Sequence, residues 1–212
     1  MQLEEFIQIE IQGDIGICWI DNKLEKNMAT IGFIGTGIRY HTYHGDQAMK
    51  FGPCAAISDV DAIQLGRAIQ VAVDDHRAKS RSLVIAGHED YRRLLDDDTI
   101  DAVVVATPNH WHALATVWAC QAGKDVHVEK PISHNLFESR QMVKAARRYK
   151  RIVQAGIENR SSPSLHRATK FIQQGKLGKI LVARAFVYKR RLNMGQVSKA
   201  QQVPASVDYN LW

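Results

Sequence analysis

Two closely spaced glycines, Gly35 and Gly37, and an acid 22 residues beyond the second, Asp59, form the most chemically suggestive pattern in this 212-residue chain. The stretch 29–40, ATIGFIGTGIRY, reads as a short apolar strand (Thr30, Ile31, Phe33, Ile34) running into a glycine turn, with a helix able to start at Ile38. A dinucleotide pyrophosphate needs this arrangement. The first glycine permits the tight turn, and the second lets the backbone approach the phosphates. The helix N-terminus then offers free N–H groups and a partial positive charge. The third position of a G-x-G-x-x-G fingerprint is Tyr40, where glycine normally allows close helix–strand packing. The first helix is therefore expected to sit differently or start later. Asp59 ends a second apolar run, 54–58 (CAAIS), where an acid can accept hydrogen bonds from the adenosine ribose hydroxyls. Asp59 or Asp61 can equally cap the helix that follows, and both roles are compatible if Asp61 is the cap.

Two further segments follow apolar runs. Residues 107–112 (TPNHWH) come after DAVVVAT at 101–107, and Glu129-Lys130-Pro131 comes after the run 125–128. In an open α/β sheet, ligands bind outside the carboxyl ends of the strands. All four pieces therefore fall on one edge. A G-x-G by itself marks many tight turns, and Lys130 by itself reads as an exposed lysine after a strand. Their coincidence on one edge is stronger evidence than either alone.

The elements that must position them are legible as alternating strands and helices. Strands are predicted at 30–34, 54–58, 83–86, 101–107, 125–128 and 152–155. The nearly continuous apolar character of 101–107 indicates burial on both faces, hence a parallel sheet. One predicted helix carries Leu65, Ile69, Ala72 and Val73 on one face, and the next runs through Tyr91, Leu94 and Leu95. A helix at 110–121 turns Leu114, Val117 and Trp118 inward, and Gly123 ends it. A helix capped by Asn135, with Glu138 three residues on, buries Met142, Val143, Ala146 and Tyr149. Strands separated by such helices give an α/β, doubly wound parallel sheet with right-handed crossovers. After residue 155 the pattern changes. One more helix at 165–174 is followed by a long predicted strand at 180–188 (ILVARAFVY) and a polar tail that reads as the opening of an uncompleted second domain.

Composition narrows the classes. Hydrophobic residues are 45% and charged residues 24%, as expected for a globular protein able to bury a core. No apolar run approaches the ~18 residues of a membrane helix. The acidic N-terminus lacks a basic n-region, so the expected location is cytoplasmic. Cys18, Cys54 and Cys120 form no metal-binding spacing and read as reduced thiols, and no histidine sits at ligand spacing with acids or cysteines. The net charge of +6 is concentrated at 147–151 (RRYKR) and 189–191 (KRR), without the interleaved aromatics of a nucleic-acid surface. Neither nucleic acid nor membrane is expected as a partner. Residues 1–28 stand outside the pattern as an extension with a hairpin signal.

The segments AVVVATPNHWH, VHVEKP and VQAGIENRSSP, following a GTG turn, resemble the Gfo/Idh/MocA oxidoreductases, a family that includes glucose–fructose oxidoreductase and inositol dehydrogenase. The resemblance runs from about residue 30 to residue 212. It implies a Rossmann NAD(P)-binding domain at 29–160 and, at 161–212, the start of an α+β substrate domain. It also implies hydride transfer between a nicotinamide and a sugar, cyclitol or related polyol. By matching position, Gly35, Gly37 and Ile38 hold the pyrophosphate and Asp59 the adenosine ribose. Thr107, Pro108, Asn109 and His112 line the cofactor groove, and Glu129 meets the nicotinamide ribose. Lys130 is the catalytic-site lysine, aimed by a cis bond to Pro131, and Asn159 and Arg160 border the nicotinamide end. Asp59 favours NAD, because a carboxylate repels a 2′-phosphate, while Arg39 leaves NADP open.

The chain departs from the family in two respects. Tyr40 replaces the third glycine. The second-domain histidine that serves members as general acid/base has no convincing counterpart, since His166 falls in the helix just after the sheet. A different class of function, a truncated or non-catalytic dinucleotide-binding module, therefore stands beside the dehydrogenase reading. An unpaired strand at 180–188 would favour self-association.

Overall fold

The computed structural model describes residues 28–81, 84–188 and 195–212, so the extension with its hairpin signal lies outside the described residues. Six parallel strands form one sheet: β1 (Ile31–Ile34), β2 (Cys54–Ser58), β3 (Ala86–His88), β4 (Ala102–Val105), β5 (Asp125–Glu129) and β6 (Val153–Gly156). Their order is β3-β2-β1-β4-β5-β6, the doubly wound Rossmann order. β1 lies at the centre, with Phe33 opposite Ile57 on one side and Val104 on the other.

Strand alternation divides the core into two layers. Ile34, Val103, Val105, Val126 and Val128 face one layer, together with Leu94, Ala115 and Met142 from the helices. Ile31, Phe33, Ile57 and Val104 face the other, with Leu65, Ala68 and Ala72. Both faces of the central strands are thus dry, which explains why DAVVVAT carries almost no polar residue. The helices between the strands are α1 (Gly45–Ala48), α2 (Ala62–Ala78), α3 (Tyr91–Leu95), α4 (Asn109–Gln121) and α5 (Leu136–Tyr149).

Capping follows the residue types. Asp61 accepts from the Ile63 N–H at 3.0 Å and caps α2. Asn135 accepts from the Glu138 N–H at 3.0 Å, while the Glu138 carboxylate reaches back to the His134 N–H at 2.9 Å. Each satisfies a donor that the helix start leaves free.

Three expectations need correction. β3 lies at Ala86–His88, downstream of the expected 83–86. The buried face of α4 is made by His112, Ala115, Thr116, Ala119 and Cys120, not by Leu114, which is exposed. Small side chains let this helix approach its neighbours closely, while Val117 and Trp118 are half-buried and pack against the core cluster as expected. In α5, Met142 and Ala145 are buried and Val143 is exposed.

The chain divides into two packed units, one running to Gly156 and including Pro204–Trp212, the other Ile157–Val203. In the second unit α6 (Pro163–Gln173) has no buried residue, and residues 180–188 form no sheet pairing, contrary to the expected long strand. The segment 161–212 is therefore divided, because its last nine residues pack with the sheet. No helix of the described residues is long and apolar enough to cross a membrane.

Candidate dinucleotide and active site

β1 delivers the chain into a turn whose two glycines have different tasks. Gly35 has φ +86°, and a Cβ there would lie 2.7 Å from the Thr107 nitrogen. It is glycine because the backbone is left-handed and the end of β4 passes directly beside it. Among the described residues, Gly37 has nothing within 4 Å of where its Cβ would be. Open space over the second glycine is what a bound pyrophosphate requires, so the turn fits the group. Ile38 begins the helical turn with its side chain 80% exposed.

Between the glycines, Thr36 is buried and joined to Asp59. Its N–H and its hydroxyl both donate to Asp59 Oδ2, at 2.6 and 2.8 Å. Asp59 Oδ1 accepts from the Asp61 N–H at 2.9 Å. The carboxylate thus ties the glycine turn to the loop entering α2. A carboxylate offers about four acceptor positions, so Oδ1 keeps one for a ribose hydroxyl. The Thr36–Asp59 link joins two residues 23 apart in sequence. Its signal was a short hydroxyl residue between the two glycines.

Tyr40 solves the missing-glycine problem by burial. Its ring packs edge-on against Phe33 at 5.1 Å, and its hydroxyl donates to the Ala68 carbonyl at 3.0 Å. The backbone widens into a π-helical turn at Tyr40–His44, and Gly45 lies where a Cβ would come 3.2 Å from the tyrosine ring. The helix is not delayed, as it starts at Ile38. It is locally unwound to admit the ring.

The end of β4 and the end of β5 are fastened together by His112. Its ring is 2% exposed, with Nδ1 2.6 Å from the Pro131 carbonyl and Nε2 2.8 Å from the Thr107 carbonyl. Both nitrogens face backbone, so His112 holds the groove's walls instead of presenting a nitrogen to it. Pro108 and Asn109 are exposed at the start of α4. Glu129, 3% exposed at its side chain, pairs with Arg39 Nη2 at 3.2 Å and accepts from the Lys130 N–H at 3.0 Å. Arg39 is thereby engaged at the β5 end of the edge. The Lys130-Pro131 bond is cis. The Lys130 side chain is exposed and makes no ion pair or hydrogen bond among the described residues.

On the other side of the turn is a cavity of about 80 Å³. Gly35, Asp59 and Val60 line it from β1 and β2, Glu89 and Tyr91 from the end of β3, and Thr107 and Trp111 from the end of β4. The Tyr91 hydroxyl and the Thr107 hydroxyl are buried without a partner among the described residues. Burial, with the charge of Asp90 adding to it, pushes the Tyr91 phenol well above its usual range, so it stays a neutral donor. Asn159 and Arg160 belong to the second unit.

Residues 29–157 match the model of an oxidoreductase family with an NAD-binding Rossmann fold, Gfo/Idh/MocA. The chain is 36% identical over 92 residues to levoglucosan dehydrogenase of Pseudarthrobacter phenanthrenivorans, a match covering 43% of this chain and 24% of that protein. It is 29% identical over 178 residues to glycosyl hydrolase family 109 protein 1 of Shewanella sp. (strain MR-4), covering 82% and 38%. The crystal structure of myo-inositol 2-dehydrogenase from Lactobacillus plantarum superposes with a TM-score of 0.61 at 25% identity, covering 72% of this chain and 43% of that one. The chain thus spans less than half the length of these relatives. The matched region coincides with the six-stranded sheet and its glycine turn, and the chain belongs to the Gfo/Idh/MocA oxidoreductases, with an NAD-binding Rossmann domain.

Proposed function

We propose that the sheet edge holds NAD with the pyrophosphate on the Gly35–Gly37 turn, the adenosine ribose at Asp59 and the nicotinamide end at Glu129 and Lys130. The reaction is oxidation or reduction of a sugar, cyclitol or related polyol. When bound, the nicotinamide gives or takes the hydride. Lys130 donates a hydrogen bond to the substrate oxygen, and its charge favours a developing alkoxide. Glu129, held by Arg39, accepts from the nicotinamide ribose, and His112 keeps the two loop walls at a fixed spacing. The observation that carries this reading is the convergence of the glycine turn, Asp59, Thr107 and Glu129-Lys130 on one sheet edge, with open space over Gly37.

NAD is preferred to NADP. Asp59 and Glu89 both line the adenosine side, where a 2′-phosphate would meet two carboxylates. Arg39, the cation that left NADP open, is paired with Glu129. Calorimetry is expected to give tighter binding of NADH than NADPH, with the difference narrowed in Asp59→Ala. Tighter NADPH binding to the unmodified chain would contradict the assignment.

A second reading is binding of the dinucleotide without turnover. It is favoured by Ile157–Val203, where among the described residues α6 buries nothing and no strand is paired. A dye-coupled assay against sugars, cyclitols and glycosides separates the two. Turnover abolished by Lys130→Ala supports the dehydrogenase. NADH binding with no turnover supports the module.

A further inference from the structure

Large apolar side chains and a row of cations share the outward face of α5. Leu136, Arg140, Val143, Lys144 and Arg147 recur at intervals of three and four residues, so they lie on one side of the helix, with Phe137 and Arg148 beside them. All of them are exposed, Leu136 by 73% and Phe137 by 72%. The opposite side supplies Met142 and Ala145 to the core, with Tyr149 packed against it. Lys150 extends the cationic row past the last turn, and the exposed Ile152 follows it. At about 1.5 Å of rise per residue, the face is about 20 Å long.

The row has no counter-charge of its own. Glu138 is the only acid in α5, and its carboxylate is engaged at the head of the helix, by the His134 N–H at 2.9 Å and the Asn135 amide at 2.8 Å. The neighbouring α4 contains no acidic residue, and neither does β6. Asp125 of β5 accepts from the Ile152 N–H at 2.8 Å. Among the described residues, Arg140, Lys144, Arg147 and Lys150 make no ion pair, and Arg148 lies over the Tyr149 ring at 5.6 Å. Like charges at this spacing repel, so the uncompensated row attracts an anionic partner. Leu136 and Phe137 narrow the choice. A nucleic-acid backbone would neutralise the cations and leave both apolar side chains in water. The headgroup layer of an anionic bilayer accepts both groups. Its phosphates meet the cations, and the apolar side chains enter the boundary with the acyl chains. The planar guanidinium forks of the arginines match phosphate oxygens.

We propose that the outward face of α5 docks on an anionic phospholipid membrane, with the cations from Arg140 to Lys150 on the headgroups and Leu136 and Phe137 as shallow anchors. The sheet domain then lies on the surface, and no spanning helix is needed. This revises the expectation of no membrane partner, because a long apolar run is required to cross a bilayer and not to rest on one. With one basic row and two anchors, the association is reversible and salt releases it. It is independent of the dinucleotide site, since no residue of that site lies on this face.

The test is co-sedimentation with vesicles of phosphatidylcholine alone and of phosphatidylcholine mixed with phosphatidylglycerol. The unmodified chain is expected to sediment with the mixed vesicles only, and to be released in about 1 M salt, where the screening length is about 3 Å. Arg140→Gln/Lys144→Gln/Arg147→Gln/Arg148→Gln should weaken binding at least about tenfold. Lys170→Gln/Lys176→Gln/Lys179→Gln/Arg184→Gln removes as many exposed cations from Ile157–Val203 and should leave binding unchanged, which separates the α5 face from the net charge of the chain. Leu136→Ser/Phe137→Ser should weaken binding about tenfold while the salt dependence persists. Melting temperatures check that each variant is folded, and the lipid and salt dependence of the unmodified chain needs no variant. Binding to neither vesicle, equal binding to both, or equal losses in the two charge variants would overturn the proposal. Retention of a single-stranded oligonucleotide through the α5 cations, with no vesicle binding, would overturn it in favour of a nucleic-acid surface. NADH titration of the same proteins reads the dinucleotide site separately, so failure of either assignment leaves the other standing.

Discussion

The segments DAVVVAT at 101–107 and ILVARAFVY at 180–188 are both apolar, β-branched and free of glycine and proline. The first contains β4, a strand paired on both edges and buried on both faces, with Val103 and Val105 fully inaccessible. The second makes no sheet pairing, and Leu181, Val182, Phe186 and Val187 are exposed. Strand propensity is a preference for a pleated, half-buried surface, and it produces a strand only where neighbours supply that surface. Around β4 the neighbours recur in the chain as strand, helix, strand. Around 180–188, among the described residues of Ile157–Val203, none is present. The difference between these regions is therefore one of partners and not of composition.

Substitutions can sharpen this contrast. The largest effect is expected at the glycine turn beside β4. Gly35→Ala places a methyl 2.7 Å from the Thr107 nitrogen on a backbone at φ +86°, and the summed strain and overlap should cost roughly 2–6 kcal/mol of stability. Denaturant unfolding checks it, and a loss below 1 kcal/mol would mean that the turn yields easily. Next, Val105→Ala should cost about 2–3 kcal/mol, because the site is sealed on both faces. The matched Val187→Ala should fall within about 0.5 kcal/mol of zero. Equal costs at the two valines would break the comparison.

A smaller effect is expected at the start of α3. Asp90 accepts from the Arg92 N–H at 3.0 Å and pairs with the Arg92 guanidinium, which holds its carboxyl below the usual carboxylate range. Asp90→Ala should cost about 1 kcal/mol at neutral pH. A lowered folded pKa means that this contribution is present above the unfolded value and is lost as pH falls through the folded one. Thermal melts of the two proteins should therefore converge in acid. A difference that persists below the titration range would show that the carboxylate's charge is not the source.

The sheet was readable because strand, helix and strand alternate, and because each strand ends at a residue of distinctive type. The glycine turn, Asp59, Thr107 and Glu129-Lys130 were all visible on one edge for the same reason. What the residues alone did not reveal depends on packing between distant parts of the chain. Leu114 looked like the inward residue of α4, but a helix packed closely turns its small residues inward. The Arg39–Glu129 pair joins residues 90 apart, and nothing local announces it. Trp212 reaches Trp111 across 101 positions of sequence. Tyr40 was visible as a departure, yet its compensation by a π-helical turn and Gly45 is a matter of geometry.

The central claim is that the turn at Gly35–Gly37 is where the dinucleotide's phosphates rest, and Gly37→Val tests it most directly. Among the described residues nothing lies within 4 Å of the position a Cβ would take, so the variant should fold with a melting temperature close to that of the unmodified chain. The added side chain would occupy the space the pyrophosphate needs. Calorimetric titration with NADH should then show affinity reduced at least about tenfold. An equally folded Gly37→Val protein that binds NADH as tightly as the unmodified chain would show that the phosphates rest elsewhere.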